Sequence, residues 1–203
     1  MSVKIAVLVS GGGTNLQALI DAQSSGILHS GRLSLVISNT RGAYALERAQ
    51  KAGIPTETVI KKECGSQAAF EQKLSQVLEE NGIQLIILAG FMTILTERFT
   101  ARYPRRILNV HPSLIPSFCG EGFYGLRVHE AALNYGVKVT GATVHFVNEI
   151  PDGGEIIAQK AVDILPGDTP EVLQRRVMEQ AEWILLPRAA EEVSASMSGG
   201  DNQ

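Results

Sequence analysis

An asparagine and a histidine stand two residues apart in Asn109-Val110-His111, at the end of the apolar run that starts at Ile107, and Pro112-Ser113-Leu114-Ile115-Pro116 follows at once. Alternate residues of a strand project from one face, so the spacing predicts an amide and an imidazole side by side. The amide can donate an N–H to an oxyanion developing on a carbonyl, a contribution of roughly 3 kcal/mol in well-ordered sites. The imidazole can give and take a proton near neutral pH. The two prolines predict a stiff, extended backbone behind the pair. Group transfer from a carbonyl donor suits such a pair. A structural histidine and a turn-forming asparagine are the plainer alternatives, and the carboxyl end of a strand is where open sheets bind ligands.

Three further segments carry candidate chemistry. Asp152 lies in Pro151-Asp152-Gly153-Gly154; a carboxylate beside an imidazole favours the imidazolium and brings its pKa nearer neutrality, although aspartate is common in turns for local reasons. Ser10-Gly11-Gly12-Gly13-Thr14-Asn15 joins a strand to a helix, where backbone N–H groups and the dipole end suit a phosphate. It lacks the spacing of the two common nucleotide loops, and a tight turn capped by Thr14 or Asn15 is the alternative. Ala89 to Leu95 is an apolar loop at the same edge, either a bed for a flat aromatic ligand or ordinary core. His29, His129 and His145 have no metal-ligand spacing, and no metal is expected. Cys64 and Cys119 read as reduced thiols, with Cys119 a candidate reactive one.

Alternating patterns must position these residues. Ile5 to Val9, Leu33 to Ile37, Thr56 to Ile60, Leu85 to Leu88 and Ile107 to Val110 read as strands. Helical patterns lie between them, around Leu16 to Ile20, Tyr44 to Ala52, Phe70 to Leu78 and Glu97 to Tyr103. This order predicts an α/β fold with a doubly wound, mostly parallel, Rossmann-like sheet. A helix from Val128 to Tyr135 follows, then Lys138 to Asn148 and Glu155 to Asp163, joined by turn residues as a C-terminal antiparallel hairpin. Thr169 and Pro170 open a final helix. One domain is expected over residues 1–193, with a frayed, disordered tail over 194–203.

The 203 residues, 44% hydrophobic and 19% charged with a net charge of −3, describe an ordinary globular chain rather than a disordered one. Lys61-Lys62, Arg105-Arg106 and Arg175-Arg176 are isolated doublets without interleaved aromatics, which argues against nucleic acid. No apolar run approaches a membrane span, and Met1 to Lys4 leads straight into a strand without a signal peptide's pattern. A cytoplasmic protein is expected, monomer or homodimer, with small-molecule partners.

Taken together, Ser10 to Ile20, Ala89 to Leu95, Asn109 to Phe118, Gly141 to Val147 and Pro151 to Ile157 resemble the phosphoribosylglycinamide formyltransferases, folate-dependent enzymes of purine synthesis. The resemblance runs in order over nearly the whole chain. The His-Pro-Ser-Leu segment is also similar to methionyl-tRNA formyltransferase and formyltetrahydrofolate deformylase, so it defines the superfamily, and chain length and the first loop choose the branch. The resemblance implies transfer of the formyl group of 10-formyltetrahydrofolate, a co-substrate, to the amino group of glycinamide ribonucleotide, by direct attack and without metal. It implies that His111 shuttles protons, Asn109 stabilises the oxyanion and Asp152 orients and charges the imidazole. Gly13, Thr14 and Asn15 would bind the ribonucleotide phosphate and Glu182 the ribose. Leu88, Met92, Thr93, Ile94 and Leu95, with Asn109, would hold the folate. Three departures stand out. Thr93 and Gln67 replace arginines that relatives often carry; Cys119 to Gly125 reads as an insertion placed to cover the folate; and Glu179 to Trp183 replaces a Glu-His pair with a one-residue offset. Hydrolysis of the formyl folate, and a non-catalytic module that binds a phosphate ligand, are the alternatives.

Overall fold

The computed structural model describes residues 2–199. Seven strands form one sheet: β1 Val3–Val9, β2 Gly31–Ser38, β3 Thr56–Thr58, β4 Leu85–Leu88, β5 Ile107–His111, β6 Val139–Phe146 and β7 Ile156–Asp163. Their spatial order is β3-β2-β1-β4-β5-β6-β7. The first five are parallel, and β6 and β7 run antiparallel as the expected hairpin. The helices are α1 Thr14–Ser24, α2 Tyr44–Lys51, α3 Lys61–Cys64, α4 Gln67–Glu80, α5 Glu97–Thr100, α6 Leu126–Tyr135, α7 Pro170–Val177 and α8 Trp183–Gly199.

Alternation along the strands divides the core into two layers. Ile5, Val7 and Val9 of β1 join Leu16 and Leu19 of α1 and Leu186 and Ala190 of α8 on one face. Ala6 and Leu8 join Phe70 and Leu74 of α4 and Phe99 of α5 on the other. The chain leaves β1 for β2 on one side and reaches β4 on the other, so a crevice opens beyond the carboxyl ends of β1 and β4. Ile107 packs in the layer of Phe99 and Tyr103. Asn109 and His111 follow it on the same strand face, toward the carboxyl end of β5.

Several expectations are corrected. The final helix continues well past residue 193: Ser194 is fully buried, and a Cβ on Gly31 would sit 2.6 Å from its Oγ. Glu191 accepts from the N–H groups of His29 and Ser30 at 2.8 and 2.9 Å. Small residues that read as a loose tail are what allow α8 to approach β2 closely; residues 200–203 of the expected tail lie outside the described residues. Thr169 does cap α7, accepting from Val172 N–H at 3.3 Å. A π-helical turn over Met178–Glu182 then separates α7 from α8. The fourth helix stops at Thr100 rather than Tyr103, and α3 occupies a stretch that carried no helical reading. The backbone after Pro112 is turned rather than extended, with Ser117 N–H donating to Leu114 O and Ser113 Oγ to Ser117 O. Thr143, buried and paired with His111, donates its hydroxyl to Ser113 O at 2.7 Å and accepts from Ile115 N–H at 3.1 Å. A side chain that satisfies both groups holds the turn where the prolines alone would have left the chain straight.

Candidate active site

Strand register sets the first residues of the site. Leu88 pairs with Asn109 and Asn109 with His145, so the three form one row across β4, β5 and β6. Asn109 Nδ2 lies 3.2 Å from His145 Nε2. His145 Nδ1 is 2.8 Å from the Phe146 carbonyl, an acceptor that requires the proton on Nδ1.

Asp152 reaches the row from the hairpin connection. Its backbone is left-handed at φ 55°, a conformation aspartate tolerates better than most residues. A Cβ on Gly154 would fall 1.7 Å from Phe146 O, so only glycine permits the chain to fold back there. The turn directs Asp152 Oδ2 to within 3.4 Å of His111 Nδ1 and Oδ1 to within 3.4 Å of Asn109 Nδ2 and 3.6 Å of His145 Nε2. Gly120 N–H donates to Oδ2 at 2.9 Å. Burial by itself would raise the Asp152 pKa; His145, His111 and the Gly120 N–H outweigh it, and the carboxyl is held below its ordinary range.

His111 is 4% exposed, and its Nε2 lies 2.9 Å from the Phe118 carbonyl. Both ring nitrogens face acceptors, which favours the doubly protonated ring. Burial is nevertheless the larger influence and brings the pKa below its ordinary 6.5, with Asp152 and the Phe118 carbonyl pulling the other way. The ring is therefore neutral at neutral pH and able to take up a proton. His129 of α6 is buried with no partner on either ring nitrogen among the described residues, and burial, aided by His111, lowers it to about 4.

A cavity of about 650 Å³ opens beside this cluster. Leu88, Met92, Thr93, Ile94 and Leu95 line it together with Asn109, His111, Asp152 and the Gly120–Gly125 segment. It thus gathers every residue of the expected folate set with the three expected to do the chemistry. Arginine and lysine are absent from its lining among the described residues. Thr93 accepts from Asn39 Nδ2 at 2.8 Å, and Gln67 donates to Glu71 and the Ile94 carbonyl. The Cys119 thiol is raised by burial and by Asp152, which opposes the thiolate a reactive cysteine needs.

The glycine loop lies at the same sheet edge, outside this cavity. Ser10 Oγ accepts from Met92 N–H at 2.8 Å and ties it to the cavity wall. Neither Thr14 nor Asn15 caps α1: the N-cap is Gly13 at φ 71°, without a side-chain hydrogen bond. Thr14 Oγ1 instead points to Met178 Sδ at 3.8 Å, and Asn15 Nδ2 donates to Glu182 Oε2 at 2.7 Å. Burial pushes Glu182 up to about 7, against the Asn15 hydrogen bond. Single-turn π segments recur at functional sites, and here one places Glu182 beneath the loop. Among the residues that meet here, His145, His129 and Thr143 carry no sequence signal of a role; only the register of His145 opposite Asn109 could single one out.

Comparison with known proteins defines the class. The formyl transferase family is matched over residues 3–189, and the chain belongs to it. The chain is 43% identical over 184 residues to phosphoribosylglycinamide formyltransferase of Haemophilus influenzae, covering 91% of this chain and 84% of that protein. It is 46% identical over 193 residues to the trifunctional purine biosynthetic protein adenosine-3 of Gallus gallus, 95% of this chain but only 18% of that much longer protein. The crystal structure of glycinamide ribonucleotide transformylase 1 from Symbiobacterium toebii superposes with a TM-score of 0.90 at 41% identity, over 96% of this chain and 89% of that one.

Proposed function

We propose that this chain transfers the formyl group of 10-formyltetrahydrofolate to the amino group of glycinamide ribonucleotide. The observation that carries the reading is the convergence of Asn109, His111 and Asp152 on one wall of the large cavity. The names of the relatives supply the acceptor, and the glycine loop at the same edge suits its phosphate.

The amine attacks the formyl carbon, and the carbonyl π pair moves onto oxygen. Asn109 Nδ2 donates to that oxyanion, exchanging its long 3.4 Å contact with Asp152 for a stronger one. The neutral His111 takes the proton from the new ammonium, and the ionised Asp152 stabilises the imidazolium formed. The imidazolium returns the proton to the folate nitrogen as the carbon–nitrogen bond breaks, so protons and electron pairs balance. Leu88 and Met92 to Leu95 offer an apolar bed for the pteridine. Gly13, Thr14 and Asn15 receive the phosphate, and Glu182 the ribose. The reaction is assigned to the cytoplasm.

The test is an assay of the purified chain with both substrates, following formylated amine and free formate separately. Formylated amine in stoichiometric yield is the expected product. Formate alone makes the chain a hydrolase, and no turnover reduces it to a binding module.

A further inference from the structure

Helix α2 stands behind the glycine loop and makes contacts that the proposed reaction does not use. Ala45 N–H donates to the Gly11 carbonyl at 3.1 Å, and Arg48 Nε donates to the Gly12 carbonyl at 2.9 Å. Arg48 is itself fixed: another of its nitrogens donates to Gln17 Oε1 at 3.0 Å, and its guanidinium carbon lies 4.9 Å from the centre of the Tyr44 ring. In a planar trans peptide the carbonyl and the following N–H point in opposite directions. Drawing the Gly11 and Gly12 carbonyls toward α2 therefore turns the N–H groups of Gly12 and Gly13 away from it. Neither N–H has a protein acceptor among the described residues. The approach of α2 is close: a Cβ on Gly13 would meet Ala45 Cβ at 2.6 Å.

We propose that Arg48 is a positioning residue for phosphate recognition, anchoring the Gly12 carbonyl so that the N–H groups of the loop stay aimed at the phosphate ester of the acceptor. The inference rests on the acceptor assigned above. It concerns binding of one group only, so it separates cleanly from the formyl chemistry. The contacts of Arg48 are to Gly12, Gln17 and Tyr44 and include none of Asn109, His111 or Asp152, so its removal leaves the proton relay untouched.

The experiment compares glycinamide ribonucleotide with the riboside that lacks its phosphate, using the wild-type chain and Arg48→Met. The variant is expected to raise KM for the phosphorylated acceptor about thirtyfold, the scale of a lost hydrogen bond from a charged group. kcat, KM for the formyl folate and kcat/KM on the riboside stay as in the wild type. Equal losses on both acceptors, or no loss on either, overturn the proposal. Calorimetric titration with inorganic phosphate judges Arg48 without turnover. Weaker binding by the variant supports it and unchanged binding overturns it, so a wild-type chain that transfers nothing counts against the proposed reaction alone. If Arg48→Met does not fold, Arg48→Lys keeps the charge but not the fixed fork. A loss of about fivefold confined to the phosphorylated acceptor then supports the proposal, and a loss shared by both acceptors overturns it.

Discussion

The two ends of the site are built in different ways. Around His111, side chains from β5, β6 and the hairpin turn meet one another, and Asp152 alone is approached by Asn109, His111, His145 and the Gly120 N–H. Around the glycine loop, the groups proposed to meet a ligand are backbone N–H groups. There Asn15 and Glu182 are held by a buried hydrogen bond to each other. Proton transfer needs groups whose pKa values can be tuned by neighbours, whereas an anion needs only fixed dipoles. The first region should therefore govern kcat and the second KM.

The strongest way to break this division is His111→Ala. It should lower kcat about a thousandfold and leave both KM values within about twofold; steady-state kinetics with each substrate varied is the measurement, and a loss confined to KM would merge the two regions. Asp152→Asn follows, with kcat lower on the order of a hundredfold. Because the Asp152 charge raises His111 against the pull of burial, its removal lowers the imidazole pKa further, and the acid limb of the kcat/KM profile should move to lower pH. A limb that stays in place would leave Asp152 a turn residue.

Glu182→Gln sharpens the other side. The native carboxyl keeps its proton to about pH 7, while the unfolded one releases it near 4.5. Its stabilising effect is full below 4.5 and is lost as pH rises through 7. Thermal melts of the wild type should show Tm falling across that interval, and the glutamine variant should lack that part of the slope. The smallest effect is expected from Thr93→Arg. A cation placed in a cavity lined by Glu121, Glu149 and Asp152 and by no cation among the described residues should lower KM for a polyglutamylated donor about threefold, and the gain should shrink with added salt.

The legibility of the sequence follows the same division. The parallel core, the hairpin and the shared face of Asn109 and His111 follow from strand periodicity, which is written residue by residue. One histidine in an otherwise buried strand reads as core, and only its register opposite Asn109 distinguishes His145. The turn after Pro112 depends on the Thr143 hydroxyl, which belongs to another strand. The sequence around Glu182 carries a one-residue offset, and the π turn over Met178–Glu182 is where the helical segment takes up an extra residue. The length of α8 depends on Ser194 and Gly31 fitting each other by smallness, a complementarity invisible in either segment alone.

The left-handed turn at Asp152 also limits how this chain can change length over evolution. Surface loops usually absorb insertions and deletions, but here the distance between the hairpin tip and the end of β5 is measured out in whole residues. One residue added or lost between Phe146 and Gly154 would rotate the carboxylate off the imidazole while leaving both strands paired. Descendants of this sequence should therefore keep the span from 146 to 154 at constant length.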